Sequence, residues 1–357
     1  MFCIAAFIIF AILGIFSASY RSLAKKAWQC VVKRITFKPC EIGFKEELKS
    51  RLLSRIILTK PRLAKSFDRW IDVLAFVFVV LTIWSFLVVL NSGLSLLVYD
   101  TCNPNDAESC AFGGQTCSIG SAKPGFWDSL KQGKILIWGK DTALTFGETV
   151  SNIPNRFKNW NPADYVNERN TYYKPFDEQK PIALEIIDPG CKFCAQLFGN
   201  IKQAGFEERY NLTYIAYPIS DQTTGTGYKF PHSYLVASYL EAVKLQPLAS
   251  QTPADWQILE KIFTQRNSNG LTFQEEFNLV DNEQQVSERL ESWLFDMGYS
   301  ADKVVSIRLS ADSEQVKEII AANNRLVEDE IETKKIPTIM FNGRRYDRVV
   351  DVDKLKE

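Results

Sequence analysis

Residues 182–194 have the sequence Ile182-Ala-Leu-Glu-Ile-Ile-Asp-Pro-Gly-Cys-Lys-Phe-Cys194, and they decide the fold. The apolar, β-branched run from Ile182 to Ile187 predicts a strand, and the Asp-Pro-Gly after it predicts a turn. Cys191 and Cys194 then open a predicted helix that continues to about Gly205. Because a helix N-terminus lowers the pKa of a thiol, Cys191 is the predicted exposed, attacking thiolate. Cys194 lies one turn later and is predicted to close a disulfide with it.

A second signal is needed, because paired cysteines at this spacing also occur in zinc sites and in inert disulfides. It comes from Lys334-Lys-Ile-Pro-Thr-Ile-Met-Phe-Asn-Gly343, in which Pro337 precedes an apolar strand and an Asn-Gly hairpin turn. Proline at this point tolerates a cis peptide bond. Metal binding is disfavoured, because the chain has no second cysteine pair of this spacing and only one histidine, His232.

The cysteine pair and Ile336-Pro337-Thr338 together resemble the DsbA-like branch of the thioredoxin superfamily, over about residues 181–350. The resemblance implies an α/β thioredoxin fold with an all-helical insertion, in which a cis-proline loop lies beside the cysteines. It also extends to Glu185, in the strand before the cysteines, and implies that this acid handles the proton of Cys194. The Lys-Phe dipeptide between the cysteines departs from the Pro-His often seen in the family, a difference that bears on the redox potential.

The predicted site has catalytic and substrate-binding residues. The catalytic residues are Cys191, Cys194, Glu185 and Pro337, and the substrate-binding residues are Ile336, Thr338, Lys192 and Phe193. The charge of Lys192 would favour the thiolate of its neighbour, and a merely solvated lysine is the alternative. Glu185 is expected to face inward, where burial would raise its pKa. His232 is expected to be a helix-start or interdomain packing residue, with proton handling as the alternative.

Two apolar segments near the N-terminus are candidate membrane spans, residues 1–19 and 71–98. The first is a transmembrane helix or a signal anchor, and it lacks the basic residues that precede the apolar core of a signal peptide. Residues 20–70 between them hold fourteen Lys or Arg against four Asp or Glu. The positive-inside rule places this loop in the cytoplasm, where it would contact anionic lipids. These features predict a two-pass protein of the cell membrane with an extracytoplasmic catalytic domain.

The eight cysteines divide by this topology. Cys30 and Cys40 lie in the basic loop and are expected to be free thiols. Three others lie in a polar loop after the second span and are expected to form a structural disulfide among themselves, with Cys3 as a mate for the one left over. A relay that exchanges electrons with Cys191 is the alternative for this loop. The structural disulfide candidates are Cys102, Cys110 and Cys117.

The part of the chain after the membrane divides into two regions. Residues 99–175 are predicted to form the cysteine-containing loop and an aromatic spacer, whose side chains are expected to pack on the catalytic domain rather than to grip peptides. Residues 176–357 are predicted to form the DsbA-like domain. Three apolar helical faces, without an intervening strand pattern, place the helical insertion at about 222–310.

The function predicted from these features is that of a membrane-anchored thiol:disulfide oxidoreductase, which introduces disulfides into exported proteins through Cys191 and Cys194. Its redox-active disulfide would serve in place of a cofactor or metal. The predicted partners are cysteine-containing exported proteins, a membrane redox partner such as a quinone-linked oxidase, and membrane lipids. A formal net charge of zero gives no reason to expect a nucleic-acid partner. Two alternatives stay open, a thiol reductase or disulfide isomerase, and a non-enzymatic tethered peptide-binding or assembly factor with a structural disulfide.

Overall fold

A computed structural model describes residues 7–12, 15, 18–35, 61–103, 115–119 and 125–357. The chain forms two compact units, Met1–Leu90 and Asn91–Glu357. The first unit contains helix α1, Ala18–Ile35, and most of helix α2, Pro61–Tyr99. All helices and strands that follow α2 in the described residues belong to the second unit.

The elements of the second unit are numbered in chain order. The helices are α3 Phe126–Lys131, α4 Ile135–Ser151, α5 Ile153–Phe157, α6 Lys192–Ala204, α7 Ser233–Lys244, α8 Ala254–Thr264, α9 Phe273–Leu279, α10 Glu283–Asp296, α11 Ala301–Ala311, α12 Glu314–Arg325 and α13 Val352–Lys356. The strands are β1 Cys117–Ser118, β2 Ile182–Ile187, β3 Asn211–Ala216, β4 Lys335–Ile336, β5 Thr338–Phe341 and β6 Arg344–Tyr346. Short 3-10 helices lie at Pro162–Tyr165 and Phe206–Glu208, and a π-helical turn, Leu326–Ile331, continues α12.

Helix α2 contains the apolar segment Phe76–Tyr99. Its 24 residues span about 36 Å as a helix, against a hydrocarbon thickness of about 30 Å. Within the described part of the chain, this is the one helix long and apolar enough to cross a membrane, judged by length and composition. It coincides with the predicted second span. The predicted first span, 1–19, lies largely outside the described residues.

Four strands form the main sheet of the second unit, in the order β3–β2–β5–β6. Strand β2 is parallel to β3, with α6 as the crossover between them, and antiparallel to β5, which forms a hairpin with β6. This is a thioredoxin-like arrangement, and it confirms the thioredoxin part of the predicted fold. Side chains 183–187 of β2 are all buried, because a central strand is covered on both faces. Gly205 ends α6 in the left-handed conformation, with φ of 57°, as the sequence predicts.

The helical insertion is confirmed as five helices, α7 to α11, between β3 and α12, the helix that leads back to the sheet. Its helix α8 packs on α6 through Trp256, a fully buried side chain. The ring of Trp256 lies 5.3 Å from Tyr173, 6.4 Å from Phe198 and 4.7 Å from Tyr214, centroid to centroid. These ring contacts place the insertion and the sheet in one hydrophobic core.

The aromatic spacer packs on the domain at Trp160, which is buried. The backbone N–H of Trp160 donates to Gly343 O at 2.9 Å, and its indole donates to Asn155 O at 3.0 Å. The packing role predicted for the spacer is thus confirmed at this residue. Trp127 and Phe157, by contrast, are exposed.

Candidate active site

Cys191 forms its disulfide with Cys117, 74 positions earlier in the chain, and Cys194 is a free thiol. The predicted Cys191–Cys194 disulfide is therefore absent from this structure. The prediction of an exposed Cys191 is also wrong, because the bonded residue is fully buried. Cys117 does not pair within its own loop either, so the structural disulfide predicted there is wrong for this cysteine.

The other cysteines were predicted to be either structural disulfide candidates or free thiols. Cys102 is disulfide-bonded. Its pairing within the loop stays a prediction. Cys30 is disulfide-bonded too, so the free thiol predicted at that position is wrong. Cys3, Cys40 and Cys110 lie outside the described residues.

The pairing of β1 with β4 explains why Cys117 reaches Cys191. The two strands are antiparallel, with Cys117 opposite Ile336. Ile119 N donates to Lys334 O at 2.9 Å, and the Thr116 hydroxyl donates to Ile336 O, also at 2.9 Å. On the other side, Val349 N donates to Gln115 O at 3.0 Å. We call residues 115–119 the docked segment, since backbone hydrogen bonds hold it at both ends.

The proline loop lies beside Cys191, as the sequence predicts. The peptide bond between Ile336 and Pro337 is cis. Cys191 Sγ lies 3.8 Å from Ile336 O, although the two residues are 145 positions apart. Thr338 follows and is fully buried, with its hydroxyl 2.8 Å from Lys335 O and 3.0 Å from Asp347 Oδ1. Through these two contacts, the buried hydroxyl of Thr338 stabilises the conformation of the loop around Pro337.

Cys194 is buried one helical turn after Cys191, at the start of α6. Asp188 N–H donates to Cys194 Sγ at 3.4 Å. Burial raises the pKa of the Cys194 thiol well above its ordinary value, and the negative charges of Asp188 and Glu185 raise it further. Cys194 is therefore protonated near neutral pH, and an adjacent base must take its proton before it can attack a disulfide.

Glu185 faces inward from the middle of β2, opposite Tyr214 and Ile339, and the predicted orientation is confirmed. Its Oε1 has no hydrogen-bond partner among the described residues. Burial raises the pKa of Glu185 to about 8. A carboxyl group that titrates near neutral pH, and whose charge is felt by Cys194, is suited to accept the proton of that thiol.

Replacement of Glu185 by Gln should change how stability depends on pH. A carboxyl group whose pKa rises from 4.5 to about 8 on folding destabilises the folded state progressively as pH increases between these two values. This loss reaches about 3 kcal/mol at pH 7, and Glu185→Gln should remove it. Thermal unfolding of the full chain at several pH values measures the effect, with Glu178→Gln, at an exposed site, as the control. Parallel stability profiles for the wild type and Glu185→Gln would contradict the assignment.

Asp188 was not among the residues predicted from the sequence, yet it organises the turn that carries Cys191. Its buried carboxylate accepts hydrogen bonds from Gly190 N and Ile219 N, both at 2.7 Å, and from the Ser233 hydroxyl. Burial raises the pKa of Asp188 to about 6, against the lowering effect of these three donors. The signal in the sequence is an acidic residue that directly follows a fully buried strand and precedes Pro-Gly-Cys.

The helical insertion holds the same turn from the other side. Gln274 Nε2 donates to Pro189 O at 2.9 Å, and Asn278 Nδ2 donates to Gly190 O at 2.8 Å. A Cβ on Gly190 would lie 2.6 Å from Ser233 Oγ and 2.7 Å from Phe230 Cγ. Glycine is required here by close approach of the insertion, so the insertion fixes the position of Cys191.

Lys335 is a second residue that the sequence did not single out. It is fully buried beside the docked segment, opposite Ser118 in the strand register, and its Nζ has no hydrogen-bond partner among the described residues. Burial lowers the pKa of Lys335 to about 8, while the charge of Asp347 acts in the opposite direction. The sequence shows only two adjacent lysines at this point, and nothing in that pair distinguishes a buried one.

The remaining predicted residues surround the site. Lys192 is exposed, and its Nζ lies 4.9 Å from the ring centroid of Phe193, which is half-buried. His232 immediately precedes α7, with Nε2 3.0 Å from Asp281 O, so the expected position at a helix start is confirmed. Within the described ranges, no group of three or more His, Cys, Asp or Glu side chains is arranged to hold a metal ion.

Among known proteins, similarity to this chain is found in solved structures. No family model and no curated protein matches the sequence. The structural neighbours include the thiol-disulfide exchange protein α-DsbA2 from Wolbachia pipientis, at 17% identity over 52% of this chain and 83% of that chain, with a TM-score of 0.37. The thiol-disulfide oxidoreductase MdbA from Corynebacterium diphtheriae is 14% identical over 47% and 78% of the two chains, with a TM-score of 0.34. The oxidoreductase DsbA from Xylella fastidiosa is 16% identical over 54% and 91%, with a TM-score of 0.30.

Proposed function

We propose that this chain is a membrane-anchored, extracytoplasmic thiol–disulfide oxidoreductase that introduces disulfides into exported proteins, with Cys191 as the exchanging sulfur. One observation carries the proposal. Cys191 is disulfide-bonded to Cys117 on β1, and β1 pairs with β4 next to the Ile336–Pro337 loop. Cys194, a buried free thiol, lies one helical turn after Cys191. A mixed disulfide between an oxidoreductase and a bound client strand needs this same set of groups.

The catalytic cycle begins from a disulfide between Cys191 and Cys194. A client thiolate attacks Cys191 Sγ, so that a bond forms between client and Cys191 while Cys194 leaves with the electron pair and takes up a proton. A second client thiolate then attacks the client sulfur of this mixed disulfide. The client gains a disulfide, and Cys191 leaves as a thiolate. The client has lost two electrons, which the two enzyme sulfurs now hold.

Two features of the site support these roles. Cys191 is the N-cap residue of α6, where the partial positive charge of the helix stabilises a thiolate and so favours its departure. Glu185, a buried acid whose charge acts on Cys194, accepts the proton of that thiol when the pair is reoxidised.

Client binding follows from the groups that hold the docked segment. Lys334 O and the backbone of Ile336 form an edge on which an extended peptide adds as a short antiparallel strand. Such backbone recognition depends little on client sequence, which suits an enzyme with several clients. Ile336, whose carbonyl oxygen lies 3.8 Å from Cys191 Sγ, and the half-buried Phe193 would supply apolar contacts to a client.

Anchoring and reoxidation complete the proposal. Phe76–Tyr99 would span the membrane, and the basic residues before it would keep the preceding loop in the cytoplasm, against anionic lipids. The catalytic unit would then face exported, cysteine-containing proteins. Reoxidation of Cys191 and Cys194 would require a membrane redox partner such as a quinone-linked oxidase.

The reduction potential of the site tests the direction of electron flow. Stabilisation of the Cys191 thiolate at the start of α6 favours the reduced form, so the potential should lie nearer to about −120 mV, as in DsbA, than to about −270 mV, as in thioredoxin. The full chain in detergent is equilibrated with glutathione mixtures, alkylated, and analysed by mass spectrometry for reduced Cys191. A value near that of thioredoxin would reject the oxidase in favour of a reductase. A Cys191 disulfide that resists all the mixtures would favour a non-enzymatic factor.

A further inference from the structure

The docked segment occupies the edge on which a client strand is proposed to bind. Thr116, Cys117 and Ser118 are each at most 2% exposed, which is the burial of a core strand. In addition to the backbone pairing with β4, Lys229 Nζ donates to Ser118 O at 3.4 Å. A client strand and the docked segment therefore exclude each other from this edge.

We propose that Cys117 is a third redox cysteine, the internal exchange partner of Cys191, so that the disulfide of the site alternates between Cys117–Cys191 and Cys191–Cys194. This inference rests on the proposed function, because it adds a catalytic residue to the same exchange site. The docked segment then acts as a client supplied by the chain itself.

The exchange step is balanced without any outside reagent. Cys194 loses its proton and attacks Cys191 Sγ, so the Cys191–Cys194 bond forms while the Cys117–Cys191 bond breaks. Cys117 leaves with the electron pair and takes up one proton. One disulfide and one thiol are present before and after the step, so nothing is oxidised or reduced overall.

The position of Cys194 makes this step available in the structure. It is the free thiol of the site, it is buried one helical turn after Cys191, and Glu185 on β2, whose charge acts on it, is the proposed acceptor of its proton. Release of Cys117 leaves the docked segment held only by noncovalent contacts. The segment can then be displaced, and the edge of β4 opens to a client.

Because the chain itself holds Cys117 near the site, Cys117 competes strongly with client thiols for reaction with Cys191. The docked segment lies in the connection between the end of α2 at Tyr99 and the start of α3 at Phe126. A thiol held on such a short connection has an effective concentration in the millimolar range. It therefore outcompetes a client at micromolar concentration unless the client binds the edge well, and this protects Cys191 from unproductive exchange.

The test measures how long a client adduct on Cys191 survives. The reduced full chain in detergent reacts with a synthetic peptide that has one cysteine, activated as its thionitrobenzoate disulfide, and the peptide–Cys191 adduct is followed by mass spectrometry. In Cys194→Ala, Cys117 should attack Cys191 and expel the peptide. In Cys117→Ser/Cys194→Ala this route is gone, and the adduct should last at least about tenfold longer. The matched control, Ser118→Ala/Cys194→Ala, alters the same strand but keeps the thiol, and should release the peptide as fast as Cys194→Ala.

The outcomes separate this inference from the proposed function. Equal adduct lifetimes with and without Cys117 would overturn the inference and leave the proposed function standing. Failure of every variant to form an adduct would overturn both. Disulfide mapping of the oxidised wild-type chain gives a second reading that needs no variant. Both Cys117–Cys191 and Cys191–Cys194 species should be found, and the presence of either one alone would contradict the exchange.

Discussion

A full chain with Cys191→Ser should lose disulfide transfer to a two-cysteine client peptide, by a factor on the order of 10³ or more. The reason is chemical, because a serine hydroxyl cannot form the mixed disulfide through which transfer proceeds. Transfer is measured by chromatography of the peptide after mixing with oxidised protein and quenching with acid.

The matched control is Cys102→Ser, which makes the same replacement at another disulfide-bonded cysteine of the second unit. It should retain transfer, since Cys102 has no part in the proposed exchange. Retention of most of the wild-type rate by Cys191→Ser would show that the Cys191 disulfide is structural and would favour the non-enzymatic alternative.

Asp188→Ala is expected to have the largest effect on stability, lowering the free energy of unfolding by about 3–5 kcal/mol. The substitution leaves three buried donors, Gly190 N, Ile219 N and the Ser233 hydroxyl, without their acceptor. Each such orphaned group costs about 1–3 kcal/mol, and structural relaxation recovers part of the sum.

Denaturant unfolding of the full chain near neutral pH measures this loss. Asp188→Asn keeps one acceptor oxygen in the same shape and should lose clearly less than Asp188→Ala. A free energy of unfolding for Asp188→Ala within about 0.5 kcal/mol of the wild-type value, the usual range for a surface replacement, would contradict the role assigned to the carboxylate.

The parts of the fold that the sequence predicts are those specified by local chemistry. The run Ile182–Ile187 is a strand with the predicted bounds, Gly205 ends the motif helix, and Pro337 lies beside Cys191. Each of these depends on a short stretch with a strong conformational preference, in which burial and turn chemistry agree. The inward orientation of Glu185 follows from the burial of its strand on both faces.

The pairing of Cys117 with Cys191 could not be predicted in the same way. The connectivity of cysteines far apart in a chain has no local signature, and the Cys-x-x-Cys spacing favours the nearer partner. The register of β1 on β4 determines that Cys117 pairs with Cys191. Strand β1 has only two residues and no hydrophobic pattern from which this register could be predicted. The alternative of a relay with Cys191 names the partner that the structure shows, although the loop sequence favours a structural disulfide within the loop.

Asp188 and Lys335 show a second limit of the sequence. The donors to Asp188 come from the turn after β2, the segment after β3 and the start of α7, which meet only once the insertion has packed. Lys335 is buried on a strand that pairs with the docked segment, more than two hundred positions away in the chain. Neither environment can be read from neighbouring residues, because distant parts of the chain create it.

The central claim is that Cys191 Sγ exchanges bonds with client cysteines. Its most direct test is peptide mapping of the adduct that forms when Cys117→Ser/Cys194→Ala reacts with the activated one-cysteine peptide and is then alkylated. The peptide should be found on Cys191, with the other cysteines disulfide-bonded or alkylated. A peptide attached instead to Cys102 or Cys110, or the absence of any adduct while Cys191 is alkylated, would contradict the claim.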